Sequence, residues 1–219
     1  MTGWDWSLAG QAVPLLLRGL VVTVEATLLG SALAFVLGLL LTLLRLSKVP
    51  VLSQVTWAFV EFVRDTPLLV QLYFVYFVFP VTFGIKLSSL ATGVITLGVH
   101  YAAYASDTYR AGIQAVPREQ WEATTALSLP RHRVWLGVVL PQAIRRSLPS
   151  LGNYLISMFK DTPVLLTVGV LEMVGQAEQA GSATYSYVEP FTIAGFFFLA
   201  LSYPSSILVR RLERYVGTR

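Results

Sequence analysis

The stretch RDTPLLV at residues 64–70 returns as KDTPVLL at 160–166, 96 residues further on, each time inside an apolar surround. In both copies a threonine precedes a proline. Thr-Pro is a helix-start signal, because the hydroxyl can cap free backbone N–H groups and proline at the first position has no N–H to leave unbonded. Proline also pushes the residue before it out of α geometry. Each copy therefore predicts a break in a helix, with a new helical N-terminus just beyond it.

The surround fixes where those breaks lie. The chain has 219 residues, 55% of them hydrophobic and 13% charged, with mean hydropathy +0.64, whereas soluble domains carry about 25% charge. A hydrocarbon core of about 30 Å needs about 20 helical residues to cross. Runs of that length occur near 20–44, 55–83, 87–109, 144–171 and 191–210. The expectation is an all-α membrane protein, one domain over 1–219 with five transmembrane helices. Arg64 lies eleven residues beyond Ser53, roughly 16 Å along a helix, so both copies fall near mid-membrane.

Charges at that depth cost about 2.5–3.5 kcal/mol each, so Arg64, Asp65, Lys160 and Asp161 must pair or face a watery cavity. Exchange between the copies, Arg64 with Asp161 and Lys160 with Asp65, is the expected pairing. Two roles stand open, ion pairs that lock the bundle and residues that line a solute path. Broken helices whose N-termini meet at mid-membrane are how transporters hold small polar solutes. The path residues on this reading are Glu61, Arg64, Asp65, Thr66, Tyr73, Lys160, Asp161 and Thr162, with Tyr76 and Tyr104 as further rings able to face a cation. Asp107 is expected to cap or to pair with Arg110, and Glu25 to lie near the outer interface.

Of the sixteen basic residues, twelve follow the first, third or fifth run: Arg45 and Lys48; Arg110, Arg118, Arg131, Arg133, Arg145 and Arg146; Arg210, Arg211, Arg214 and Arg219. Basic loops stay cytoplasmic. The N-terminus is therefore expected outside and the C-terminus inside, and the net charge of +4 needs no nucleic-acid partner. The start, with Asp5 between Trp4 and Trp6, lacks the basic n-region of a cleaved leader and reads as a short interfacial segment. Cysteine is absent and His100 and His132 are the only histidines, so no metal site or histidine relay is expected. No GxxxxGK[ST] loop occurs, so ATP hydrolysis by that route is excluded. The rival reading is an ion-coupled secondary transporter or channel.

Residues 117–141 are too polar to cross and too long for a tight turn. Pro117 can start a helix over 118–127, Ser128-Leu129-Pro130 ends it, and a second short helix is expected over 131–140. Here the chain resembles the permease subunits of bacterial ABC importers, whose loop signature is Glu-Ala-Ala, three residues, Gly, nine residues, Ile-x-Leu-Pro. At the same spacing stand Glu122-Ala123-Thr124, Ser128 and Val138-Val139-Leu140-Pro141, with Thr124 in place of the second alanine and Ser128 in place of the glycine.

RDTPLLVQLYFVYFVFP, YRAGIQAVPREQWEA and LPQAIRRSLPSLGNYLISMFKDTPVL are similar to the polar amino acid branch, and EPFTIAGFFFLALSYPSSILVRRLER to its ectoine and hydroxyectoine permeases. The resemblance implies the type I importer fold in the bacterial inner membrane, with an ATPase-coupling helix formed by Glu122, Ala123, Thr124, Ser128, Leu129, Leu140 and Pro141. It also implies a second, homologous or identical, permease, an ATPase dimer that holds ATP and Mg, and an extracytoplasmic solute-binding protein. This chain then binds no cofactor itself.

Overall fold

The computed structural model describes residues 4–217, entirely helical apart from short connections; Arg219 of the basic tail lies outside them. Helix α1 runs from Trp6 to Arg45 without interruption, about 60 Å at 1.5 Å per residue. The start is thus no separate interfacial segment. Pro14 sits inside the helix, and Asp5 caps it by accepting from the N–H groups of Ser7 and Leu8 at 2.8 and 3.3 Å. The Ser7 hydroxyl and these amides hold the Asp5 carboxyl below its ordinary range.

Helix α4, Ser89–Gln114, lies along α1 in the same direction: Gly30 meets Leu97, Gly38 meets Ala102 and Ala105, and Thr42 meets Ser106. Small residues allow this approach. A Cβ on Gly38 would stand 2.7 Å from that of Ala105 and 3.0 Å from the Ala102 carbonyl oxygen. The Thr42 hydroxyl, fully buried, donates to the carbonyls of Gly38 and Ser106 at 2.8 and 3.0 Å.

Between these helices the chain folds back through α2 (Pro50–Asp65) and α3 (Leu68–Phe83), which meet at a 107° bend. A π turn over Phe74–Val78 lies within α3. Next come α5 (Arg118–Ala126) and α6 (131–161), which carries a π turn at Val134–Val139 and ends in a tight 3-10 turn over Thr162–Val168. Helices α7 (Met173–Thr184) and α8 (Val188–Gly217) complete the chain. The expected second short helix over 131–140 is instead the first part of α6, because Pro141 sits within a first turn that already has helical dihedrals at Val139 and Leu140. α1 and α8 are each long and apolar enough to cross a membrane alone, and two bent pairs, α2 with α3 and 131–168 with α7, pass the same test together.

The two Thr-Pro steps behave differently from each other and from expectation. At the first, the Thr66 hydroxyl donates backward to the carbonyls of Phe62 and Val63 at 2.8 and 3.3 Å. It closes the end of α2 rather than capping α3. At the second, Thr162 donates to the Phe159 carbonyl at 2.9 Å and no new α-helix starts. That break is displaced to Gly169, whose φ of +81° glycine adopts without strain. The N–H groups of Gly169 and Val170 bond back to Leu166 and Leu165 there, a Schellman closure. Glu172, fully buried, then caps α7 through the N–H groups of Gly175 and Val174 at 2.7 and 3.0 Å.

Candidate functional site

One face of α4 carries the polar centre. Tyr101 donates its phenol to the Asp161 carboxylate at 2.6 Å. His100 meets the side-chain oxygen of Gln71 at 3.2 Å. Tyr104 lies within 5.2–6.2 Å of the rings of His100, Tyr101 and Tyr154, and Tyr154 accepts from Thr108 at 3.2 Å. One turn further toward the end of α4, the guanidinium of Arg64 stands 5.7 Å from the Tyr104 ring, a cation–π distance. A track of rings and hydroxyls thus joins Asp161 to Arg64.

Arg64 does not pair with Asp161. Its partner is Asp107 at 2.7 Å, with Glu61 at 3.4 Å. The helix around Thr162 continues rather than turning back, so the two copies never bring their opposite charges together. Asp107 is shared: Arg45 reaches it at 2.9 Å and Arg110 at 3.3 Å, the latter as the sequence suggested. No ion pair joins Lys160 to Asp65 among the described residues; both side chains are exposed, as is Tyr73. Thr162 is buried.

Sequence reasoning missed Gln71. Its amide donates to the Val63 and Thr66 carbonyls at 2.7 and 3.0 Å and to the Thr66 hydroxyl at 2.8 Å, so it satisfies the carbonyls that the bend sets free and ties the bend to His100. The available signal was a lone amide five residues after the Thr-Pro step, in a segment with no water to satisfy broken backbone.

Residues 117–141 make the second candidate surface. Helix α5 starts after Pro117 and ends in another Schellman closure: Ser128 N–H to the Thr125 carbonyl at 2.9 Å and Leu129 N–H to that of Thr124 at 3.1 Å. Ser128 takes φ +49°. Trp121 packs edge-on against Trp135 at 5.8 Å, above a cluster of Ile113, Val116, Val139 and Ala143 that joins the bases of α4 and α6. Arg146 donates to the Ala115 carbonyl in the same joint. Glu122 is exposed and pairs with Arg118 at 3.0 Å, while Thr124 is buried and bonds back to Trp121. Leu129 and Leu140 are half-buried, Ala123 and Pro141 exposed.

With this geometry in place, the relatives are informative. The profile of the family described as "binding-protein-dependent transport system inner membrane component" matches residues 30–218. The chain belongs to this family. A probable amino-acid ABC transporter permease protein, y4tG, of Sinorhizobium fredii is 43% identical over 95% of this chain and 90% of its own length. The glutamine transport system permease GlnP of Escherichia coli is 32% identical over 96% of this chain and 97% of its own length. A crystal structure of an amino acid ABC transporter with histidines superposes with a TM-score of 0.90 at 32% identity, covering 98% of this chain and all of that one.

Membership makes the chain a transport subunit, a permease of an ABC importer, rather than an enzyme, with ATP hydrolysis on a separate subunit. It also gives Ser128 a meaning, since it stands where the permease loop signature has glycine and takes a glycine's conformation. A serine in that region is strained by about 1 kcal/mol. Ser128→Gly is expected to raise stability by up to about that amount, read as a small rise in melting temperature of the purified subunit, and Ser128→Val to lower it.

Proposed function

We propose that this permease spans the membrane five times, N-terminus outside and C-terminus in the cytoplasm, and imports a small zwitterionic solute of the polar amino acid class. The third span on this reading is α4, which its neighbours enclose. The solute passes the face formed by Glu61, Arg64, Asp65, Thr66, Tyr73, Lys160 and Asp161, with Thr162 buried behind it, and a second permease, identical or homologous, supplies the other wall. Glu122, Ala123, Thr124, Ser128, Leu129, Leu140 and Pro141 form the surface that an ATPase dimer engages, and that dimer holds ATP and Mg. A solute-binding protein delivers from outside. An ectoine-type solute, with its carboxylate and delocalised cation, suits the same chemistry and stands as the finer alternative.

The observation that carries this reading is the loop of 117–141: a helix closed by a left-handed residue at the signature position, whose tryptophan is anchored on both α4 and α6. A partner that moves Glu122 through Leu129 therefore moves the base of the helix that bears the polar track. Alternating access needs only such a shift between two states.

The test is ATPase turnover in vesicles containing the permease, its ATPase and its binding protein. Loaded binding protein should stimulate turnover, and Glu122→Lys should return it to the basal rate without loss of assembly. Unchanged stimulation in that variant would count against coupling through α5. Competition of labelled uptake by arginine, glutamine, histidine and ectoine then ranks the solutes. Uptake by the subunit alone, with no ATPase present, would favour the ion-coupled alternative.

A further inference from the structure

Arg45, Arg64 and Arg110 surround two carboxylates, Asp107 and Glu61, so the cluster holds one positive charge in excess. Asp107 is already divided among three guanidinium groups. The Nε atoms of Arg64 and Arg110 are buried and find no hydrogen-bond partner among the described residues. Beside them opens a cavity of about 440 Å³ that is also lined by Gln54 and Trp57. Unpartnered buried donors and an uncompensated charge both call for one further acceptor that is negatively charged. A carboxylate meets both needs, because its two oxygens match the fork of a guanidinium.

We infer that these three arginines form a second binding station for the solute's carboxylate, separate from the Asp161 end of the track and nearer the ATPase-coupling loop. This rests on the permease reading. The track itself argues for solute: Tyr104 links the Arg64 guanidinium to Tyr101 and Tyr154, so a zwitterion whose ammonium leaves Asp161 finds a partner for its carboxylate at the other end of the same track. The arriving carboxylate competes with Asp107 for Arg64, and that exchange loosens the tie between α2 and α4. The station thereby couples solute departure to movement of the bend at Thr66.

The sequence has no cysteine, so a single cysteine placed by Gln54→Cys reports on the cavity. In the assembled permease–ATPase complex in phosphatidylcholine vesicles, the rate of thiol modification is measured against arginine, agmatine (the same molecule without its carboxylate) and acetate. Arginine and acetate should slow labelling, and agmatine should need about tenfold more to do so, the ratio one charged hydrogen-bonded contact sustains.

Arg64→Gln should abolish protection, and Glu61→Gln, which adds to the excess positive charge, should strengthen it; a gain cannot come from misfolding. Equal protection by agmatine, or none by arginine and acetate, overturns the station. So does protection that appears without solute once phosphatidylglycerol is added, because the site then belongs to lipid phosphate. Protection by acetate in a complex that imports no amino acid keeps the oxyanion site while sinking the functional reading.

Discussion

Replacing Asp107 with leucine should destabilise the subunit by about 3 kcal/mol, the low end of the about 3–5 kcal/mol for stripping one partner from a buried pair. The low end applies because the carboxylate is 24% exposed. Three guanidinium groups lose their common acceptor at once, and Arg45, whose side chain is 8% exposed, has the least access to water. The expected result is a melting temperature several degrees lower and little or no uptake. Adding Arg64→Met should recover part of the lost stability, since one of the repelling charges leaves. An unchanged melting temperature in the single variant would reduce the cluster to loosely held surface charges.

Gly38→Leu is expected to have the larger effect on assembly. The added Cβ stands 2.7 Å from that of Ala105, where something must shift, and 3.0 Å from the Ala102 carbonyl oxygen, a tight contact with backbone that cannot rotate away. Overpacking of this kind costs about 1–3 kcal/mol, occasionally more. Here it also parts Thr42 from Ser106 and so removes the hydrogen bond that ties the two helices, leaving the hydroxyl only its bond to the Gly38 carbonyl within α1. The variant should fail to accumulate in the membrane, and Gly38→Ala should give an intermediate loss. Full-level expression of Gly38→Leu with unaltered thermal stability would mean that α1 and α4 are not held as close as described.

Local chemistry explains what could be read in advance. The helix after Pro117 and its end near Ser128 depend on neighbours within a few residues, and both were legible. So was the bend at Thr66, because Pro67 disfavours helical geometry in the preceding residue, and Thr66 is extended. The second Thr-Pro step misled for a matching reason: Thr162 remained helical at φ −55°, and the chain turned instead at Gly169, where a left-handed residue comes without strain.

What stayed hidden was long-range. Arg64 was expected to pair with Asp161 and took Asp107, because α4 rather than α6 lies beside α2. Glu172 stands in a stretch, 172–189, with three acids and no base, yet it is a fully buried cap beside which Gly19 lets α1 approach closely: a Cβ there would stand 2.7 Å from the Met173 Cα. Pattern shows that a charge needs a partner; only packing chooses which.

The seam between α1 and α4 has a mechanical consequence. Two helices locked by a glycine against alanines and by a doubly bonded threonine behave as a rigid strut, and a strut transmits displacement without absorbing it. On the proposed coupling, a push arriving at Trp121 is passed along α4, and compliance falls to the interruptions of the backbone, the bends at Thr66 and Gly169 among them. Those bends, more than the long helices, then govern how far the subunit swings.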